Sequence, residues 1–565
     1  ACTFYTYDSV QDTYNPITKV AKGELMEKTQ PYYKTTQQYS LNYKNTFNDL
    51  HDVEALALWE WKETNTNWFM ARRYYSTTSA IPELDRGDVD NMYNEGNSAV
   101  YKYGGLVGRL NYVYAGKYMA EFSFRYDGSY KTAPDKRWGF FPAVSAGWRI
   151  SEEQFMKDLV PQMDNLKLRA SWGSIGNDSQ LNASQFVSGW QFEDRFILGG
   201  AGNSSASITN GMKEANLANP NITWYKVMTT NVGLDGSFWG GKLSFEFDYF
   251  YRKTTGYPAT RNTSLPTTSG IPLPQENLNS SDNRGFELSL GTVQRIGNVN
   301  LQIKGNVAYA REKDLYKEQA LPLNQYKNWR DNGAYRWKNV TWGYEHIGQF
   351  QSYDEIYNSP IQDGKGNSSL RPGDIKYKDL NGDGLIDAND EKVIGKGTFP
   401  DLNFGLTLAA DWKGFDVNIL FQGASNYTQV LNALTSPFRG PGEGNGFRVW
   451  MDSWHKADYN DPDSEWVPGK FPSLRIEGND NNSKKSTYWT TDAYYVRLKS
   501  IEIGYTIPKN LLSKVGIEHL RVYANAYNPL TITNVKYTDP EAIEGWQSFY
   551  YPQLKVYSFG VNVSF

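Results

Sequence analysis

Val556-Tyr-Ser-Phe-Gly-Val-Asn-Val-Ser-Phe565 closes the chain. Tyr557, Phe559, Val561, Val563 and Phe565 fall on one side of this segment, and Ser558, Gly560, Asn562 and Ser564 on the other. A period of two with one apolar face is the pattern of a β-strand. The same alternation recurs upstream. Tyr118, Ala120, Phe122, Phe124 and Tyr126 alternate with Lys117, Glu121, Ser123, Arg125 and Asp127. Leu243, Phe245, Phe247, Tyr249 and Tyr251 alternate with Ser244, Glu246, Asp248 and Arg252. Phe404, Leu406, Leu408, Ala410 and Trp412 alternate with Asn403, Thr407 and Asp411, and Phe415, Val417, Ile419 and Phe421 with Asp416, Asn418 and Gln422. The second face carries full charges. In a two-sheet sandwich it would meet bulk water; in a wide barrel it would line a wet lumen.

The connections separate these cases. Neighbouring segments are joined by tight turns at Ala115-Gly-Lys117, Trp239-Gly-Gly-Lys242, Ile296-Gly-Asn298 and Trp412-Lys-Gly-Phe415. Between the pairs lie longer polar stretches, the longest being residues 177–226, 312–402 and 424–493. Short turns alternating with long loops are the signature of a transmembrane barrel, with the turns in the periplasm and the loops outside the cell. Aromatics beside the turns (Tyr114, Tyr118, Trp239, Trp412, Phe415) suit an interfacial girdle. The expected strands are Tyr33–Phe47, His51–Trp61, Tyr101–Tyr114, Lys117–Tyr130, Gly139–Ile150, Asn165–Ile175, Val227–Trp239, Leu243–Thr255, Arg284–Val293, Val299–Arg311, Asn403–Trp412, Phe415–Gly423, Tyr494–Thr506, Leu520–Tyr527 and Val556–Phe565. That is about fifteen. Poor alternation near Ser500 suggests a bulge. Ser151–Asp164 and Pro508–Glu518 read as short helices on the turn side, the first with Ser151 as a capping residue. Bacterial barrels have even strand numbers, so an odd count points to further strands upstream.

Composition agrees. The 565 residues include 41 Tyr, 18 Trp and 50 Gly, yet charged residues are only 21%, and the mean hydropathy is −0.64. No stretch approaches the ~18 apolar residues that a membrane-crossing helix needs. A net charge of −4 and the lack of a basic motif argue against nucleic acid. Cys2 is the single cysteine, so no intrachain disulfide can form, and it reads as a free thiol in a loop. A start at Ala1 rather than Met points to processing or to a fragment.

One motif carries possible chemistry, Asp379-Leu-Asn-Gly-Asp-Gly-Leu-Ile-Asp-Ala-Asn-Asp390. Asp379, Asn381 and Asp383 hold positions 1, 3 and 5 of an EF-hand-type loop, with Gly384 at the sharp turn. Leu385 offers its carbonyl at 7, Asp387 stands at 9, and Asp390 takes the place of the usual Glu at 12. Hard oxygen ligands suit Ca²⁺, and four carboxylates in twelve residues repel one another without a cation. The alternative is an acidic surface turn that binds nothing. The flanks, Ile375-Lys-Tyr-Lys and Lys392-Val-Ile, are not helical, so the expected role is structural, a staple within a long loop. The four histidines (His51, His346, His455, His519) share no metal or triad spacing, and no Gly-x-Ser-x-Gly, phosphate loop or zinc-protease motif occurs. No enzymatic activity is expected. Trp59, Trp61 and Trp68, Trp337 and Trp342, and Trp450 and Trp454 cluster in sequence; sugar stacking, girdle anchoring and loop packing all accommodate them.

Several stretches together resemble the C-terminal half of the SusC/RagA-type transporters. They are Pro372-Gly-Asp-Ile-Lys-Tyr-Lys-Asp-Leu-Asn-Gly-Asp-Gly-Leu-Ile-Asp387, Ile394-Gly-Lys-Gly-Thr-Phe-Pro-Asp-Leu-Asn-Phe-Gly-Leu406, Trp412-Lys-Gly-Phe-Asp-Val417 and Phe421-Gln-Gly423. Arg284-Gly-Phe-Glu-Leu288, Trp138-Gly-Phe-Phe-Pro142 with Gly147-Trp-Arg149, and Leu168-Arg-Ala-Ser-Trp-Gly173 extend the resemblance over nearly the whole chain. It implies an all-β, transmembrane antiparallel barrel in the outer membrane of a Gram-negative, Bacteroidota-like bacterium, of which about fifteen strands of 22 are present. The remaining strands, the plug and the segment that engages TonB would lie N-terminal to them. A terminal strand ending on Phe is also what such barrels present to their assembly machinery. The resemblance further implies TonB-driven import of oligosaccharides, or of peptides in the RagA branch. The implied partners are a SusD-like surface lipoprotein acting as a lid and a dimer of such pairs. Inward-facing Glu121, Arg125, Glu246, Asp248 and Asp416 would solvate the lumen. Gated import requires the plug, so it would not follow for a protein that truly began at Ala1. Two rivals are a passive porin, which lacks a plug, and a soluble β-rich glycan-binding or glycan-cleaving protein, which would need no detergent.

Overall fold

The computed structural model describes the chain except residues 1–4, 9–12, 17–22, 76–82, 91, 183–184, 198–207, 263–272, 321, 323, 432–433, 435–446, 476–478, 513–515, 543–550 and 552. Cys2 lies outside the described residues. One 16-stranded antiparallel sheet forms a wall. Its strands are β1 (Gly23–Thr29), β2 (Tyr32–Phe47), β3 (His51–Tyr75), β4 (Tyr93–Tyr114), β5 (Tyr118–Ser129), β6 (Trp138–Arg149), β7 (Met163–Asn177), β8 (Tyr225–Phe238), β9 (Leu243–Thr260), β10 (Gln275–Ile296), β11 (Val299–Tyr316), β12 (Leu402–Trp412), β13 (Phe415–Val430), β14 (Thr490–Thr506), β15 (His519–Thr533) and β16 (Val556–Ser564). Each pairs with the next in sequence, save that β1 and β2 both pair with β3, at Phe69–Tyr75 and His51–Thr66. These two therefore share one place, interrupted at Pro31, which has no N–H to give the ladder. All fifteen expected strands are present. Among the described residues the outer edges of β2 and β16 pair with nothing.

Many wall strands run further toward the long-loop end than alternation indicates. β3 continues to Tyr75 rather than Trp61, and β10 begins at Gln275 rather than Arg284. Turn chemistry matches turn geometry at the other end. Lys413 and Gly414 have φ of +46° and +90°, the pair of positive values a type I′ hairpin needs between Trp412 and Phe415. The expected bulge is found where Leu498 and Ser500 pair with the successive β13 residues Phe421 and Leu420, and the register with β15 shifts at the same point. The first short helix, Gln154–Leu159, differs from expectation in its cap. Glu153 holds that position without a side-chain cap bond. The Ser151 hydroxyl is buried without a protein partner. The Glu153 carboxylate instead accepts from Tyr118 Oη (2.6 Å), Trp148 Nε1 (3.2 Å) and Lys117 Nζ (3.2 Å), bracing the turn between β4 and β5. These donors hold its carboxyl below the usual glutamate range, the Tyr118 hydroxyl foremost.

Cross-strand register shows that the two faces stay distinct around the wall. Residues directly opposite each other point to the same side. Asn111 opposes Glu121, Glu121 opposes Ser145, Ser145 opposes Ser171, and Ser171 opposes Asn231. Further round, Asp248 opposes Glu287, and Ser289 opposes Asn306. The other face carries Leu110, Phe122, Val144 and Trp172 in one row, then Phe247 and Leu288. Its large apolar side chains are exposed, Leu110 at 49% and Phe247 at 40%. An exposed apolar band of this extent is stable only against lipid.

At the long-loop end the chain between β11 and β12 packs against the chain between β13 and β14. Ile375, Tyr377 and Ile386 from the first meet Leu431, Trp450, Phe471 and Trp489 from the second in one buried cluster. This cap has a conventional core, whereas the wall's one buried cluster among the described residues, Ala424, Tyr427, Ala493 and Tyr495 with Val535, sits at its loop end.

Candidate functional site

Two features of the sequence position the polar side of the wall. Arginines recur on the inward parity, and at two of them a glycine on the neighbouring strand leaves room for the side chain to cross. Arg169 of β7 reaches across Gly233 of β8. Its Nη2 lies 2.7 Å from Asp235 Oδ1 and 2.8 Å from Asp248 Oδ2, so one guanidinium ties three strands. A Cβ on Gly233 would sit 2.7 Å from that guanidinium carbon. The opposite part of the sheet repeats the device. Arg521 of β15 crosses Gly504 of β14 to Asp416 of β13, with Nε 3.0 Å from Oδ1, and also holds Glu502 Oε1 at 2.8 Å. A Cβ on Gly504 would lie 2.5 Å from Arg521 Nε. Arg125 pairs with Asp127 at 2.8 Å, and Arg109 with Glu54 at 2.7 Å. These pairs neutralise charge on a surface that must stay wet, and planar bidentate forks fix their geometry. Of the residues expected to line the lumen, Arg125, Asp248 and Asp416 are thus in ion pairs on the polar face. Glu121 and Glu246 stand on the same parity, opposite Ser145 and Asp235.

The cap is bolted by Asp374. Its carboxylate is fully buried and accepts from Arg475 Nη2 (2.5 Å), Asn482 Nδ2 (2.8 Å), Asn479 Nδ2 (3.0 Å) and the Arg371 backbone N–H (2.9 Å). Arg475 is itself 5% exposed. No local pattern reveals this role for Asp374, because its side-chain partners come more than a hundred residues later. His346 joins the same two segments, Nδ1 lying 2.7 Å from Thr487 Oγ1. Burial lowers its pKa, partly opposed by Glu345.

The acidic loop is ordered by its own carboxylates. Asp379 accepts from the backbone N–H groups of Gly382 (2.7 Å) and Gly384 (2.8 Å), Asn381 from that of Asp383 (3.0 Å), and Asp383 from that of Leu385 (2.9 Å). Asp387 accepts from Asn389 (2.7 Å). Asp390 is fully buried and closes the loop, taking the N–H of Leu380 (2.8 Å) and of Asp387 (2.9 Å). Among the described residues no three His, Cys, Asp or Glu side chains already converge as a metal cluster. The tryptophans divide. Trp450 and Trp454 are buried in the cap, Trp59 packs at a tilt against Tyr39, Trp68 lies under Lys28, and Trp337 is flanked by Arg284 and Arg311 on the outer face of the wall.

Comparison with known proteins places this geometry. The chain is 28% identical to TonB-dependent receptor P3 of Formosa agariphila, over 98% of this chain and 55% of that relative. It is 26% identical to TonB-dependent receptor SusC of Bacteroides thetaiotaomicron, over 81% and 43%. The chain therefore spans about half the length of the curated relatives it matches. In fold it resembles the RagAB peptide importer in its closed-closed state, with a TM-score of 0.74 and 22% identity over 98% of this chain and 57% of that one. The family model "TonB dependent receptor-like, beta-barrel" matches residues 3–529, so the chain belongs to that family of outer-membrane β-barrels.

Proposed function

We propose that the protein containing this chain imports oligosaccharides or peptides across the outer membrane, driven by TonB, with a SusD-like lipoprotein as lid over the long loops. The observation that carries this reading is the two-sided wall, apolar and exposed on one face and lined by paired charges on the other, crowned at one end by a packed cap. A substrate would be held between cap and lid, then pass the polar face. Paired arginines suit passage rather than capture, because each guanidinium is already occupied by carboxylates. The likeness to a peptide importer supports the peptide class, while the oligosaccharide class and the pairing into a dimer rest on the resemblance of the sequence motifs to the SusC/RagA-type transporters. No covalent chemistry is assigned. The test is uptake of fluorescent oligosaccharide and peptide libraries by cells producing the full-length protein, with and without a protonophore. Energy-dependent uptake of one class supports importer action; uptake indifferent to the protonophore would mark a passive pore and end the reading.

For the acidic loop we propose a structural Ca²⁺ held by Asp379, Asn381, Asp383, the Leu385 carbonyl and Asp387, with Asp390 closing the loop beneath. The spacing of the oxygen ligands supports it, and extracellular sites of this kind bind at about 10⁻⁴ to 10⁻³ M. Terbium luminescence on the purified protein, lost in Asp383→Ala, is the expected result. No signal in the unsubstituted protein would dispose of the site.

A further inference from the structure

One column of the outer face changes character with height. On β11, Leu301, Ile303, Val307, Tyr309, Arg311 and Lys313 share the outward parity, and no register shift intervenes. Val299 opposes Trp412 at the turn end, and Phe286 and Tyr309 stack at 5.9 Å near the other. Ten residues separate Val299 from Tyr309. At about 3.4 Å per residue and a tilt of about 40°, that spans about 25 Å, the height of an outer-membrane apolar band. Tyr309 and Phe286 thus sit at the upper aromatic girdle. The next outward pair, Arg284 opposite Arg311, and then Lys313, stand at the level of the outer-leaflet headgroups.

These three cations surround one ring. Segment 336–338 pairs with the upper end of β11, placing Trp337 beside Lys313. The Trp337 ring lies 4.4 Å from the Arg311 guanidinium, 5.7 Å from that of Arg284 and 5.8 Å from Lys313 Nζ. Beside it opens a cleft of about 1190 Å³, lined by Arg311, Trp329, Arg330, Tyr335, Arg336 and Trp337 among others. Trp329 and Tyr335 are 61% and 72% exposed. Asp282 and Asp401 offset Arg284 and Arg311, and the cleft's own Asp331 and Glu391 offset Arg330, as Asp314 does Lys338. Among the described residues Lys313 and Arg336 form no ion pair, so cationic capacity is left over.

We propose that this crown and cleft bind the phosphorylated sugar headgroup of an outer-leaflet glycolipid. Aromatic faces suit sugar rings, and ammonium and guanidinium groups suit phosphate. Continuity with the apolar column selects a lipid over a free sugar: acyl chains would lie along Phe286, Leu288 and Val307 directly below. Such a lipid would dock the base of the cap to the membrane.

The test uses the full-length protein in detergent, examined by native mass spectrometry against three probes. These are an acylated diphosphoryl glucosamine disaccharide, the same glycolipid without phosphates, and the deacylated headgroup. Retention of the first alone is expected. Lys313→Glu should weaken it at least about tenfold, the worth of one charge-assisted contact. Trp337→Leu, which leaves the charges in place, should weaken it by a smaller factor. Both variants should keep the heat-modifiable gel shift of the folded barrel. Equal retention of the dephosphorylated glycolipid, equal binding of the free headgroup, or unchanged retention by folded Lys313→Glu would each overturn the proposal.

Discussion

The wall and the cap are held together in opposite ways. Across the apolar band of the wall the large apolar side chains point away from the protein, and charged ones such as Arg169 and Arg521 point inward, paired across strands. In the cap Trp489, Tyr377 and Ile375 are buried to 2% or less, around a buried Asp374 that joins segments 101 residues apart. The surrounding medium writes the wall's pattern, so its stability depends on which face a residue occupies. The cap depends on a few specific partners, as a soluble core does.

Removing one partner of the cap's buried pair should have the largest effect. Asp374→Ala leaves the buried Arg475 guanidinium without its counter-charge, holding only the Ser369 carbonyl, and strips Asn482 Nδ2 of its acceptor, at a cost of about 3–5 kcal/mol. Limited proteolysis should then cut the segments 317–401 and 431–489 while the barrel keeps its gel shift; loss of both together would mean that wall and cap are one cooperative unit. Next comes a charge placed on the lipid side. Leu406→Arg, at mid-height on β12, should destabilise by about 2–4 kcal/mol. Ser289→Arg, facing inward beside Glu246, should change stability by less than about 0.5 kcal/mol. Equal urea midpoints for the two would erase the distinction between faces. Gly504→Val should displace the Arg521 side chain from Asp416 and cost about 1–3 kcal/mol by overpacking, whereas Gly297→Asn in the exposed turn should cost less than about 1 kcal/mol. The smallest effect concerns pH. His346 has its pKa lowered in the folded cap, so the unfolded state binds more protons as pH falls. Cap stability is therefore full above about 6.5, the unfolded value, and declines as pH drops through the folded one. The protection of amides around Thr487, taken as the exchange rate relative to the unfolded chain at the same pH, should fall from pH 7 to 5, and His346→Gln should flatten that dependence.

The same contrast explains what sequence reading captured. The wall was legible because lipid on one side and water on the other force a period of two, as in Phe415 to Phe421. It fades where both faces meet water, as in Lys62-Glu-Thr-Asn-Thr-Asn67, so alternation marks β3 only to Trp61 although the strand runs to Tyr75. The crossings of Arg169 over Gly233 and Arg521 over Gly504 need cross-strand register, which no single strand encodes. The short strands of the cap, such as Val340–Tyr344 with Glu391–Lys396, carry no such signal, because five residues packed into a buried core need not alternate. In the acidic loop the sequence named Asp390 as a ligand position, and the fold uses both its oxygens to close the loop.

The most direct test of this account is a cysteine scan along β11 in a Cys2→Ser background, reconstituted in vesicles. Labels at 301, 303 and 307 should be quenched by brominated acyl chains and resist a water-soluble thiol reagent. Labels at 302, 304 and 306 should do the reverse. Water access at all six positions would mean that no lipid-facing side exists, and the reading of this chain as a membrane wall would fail.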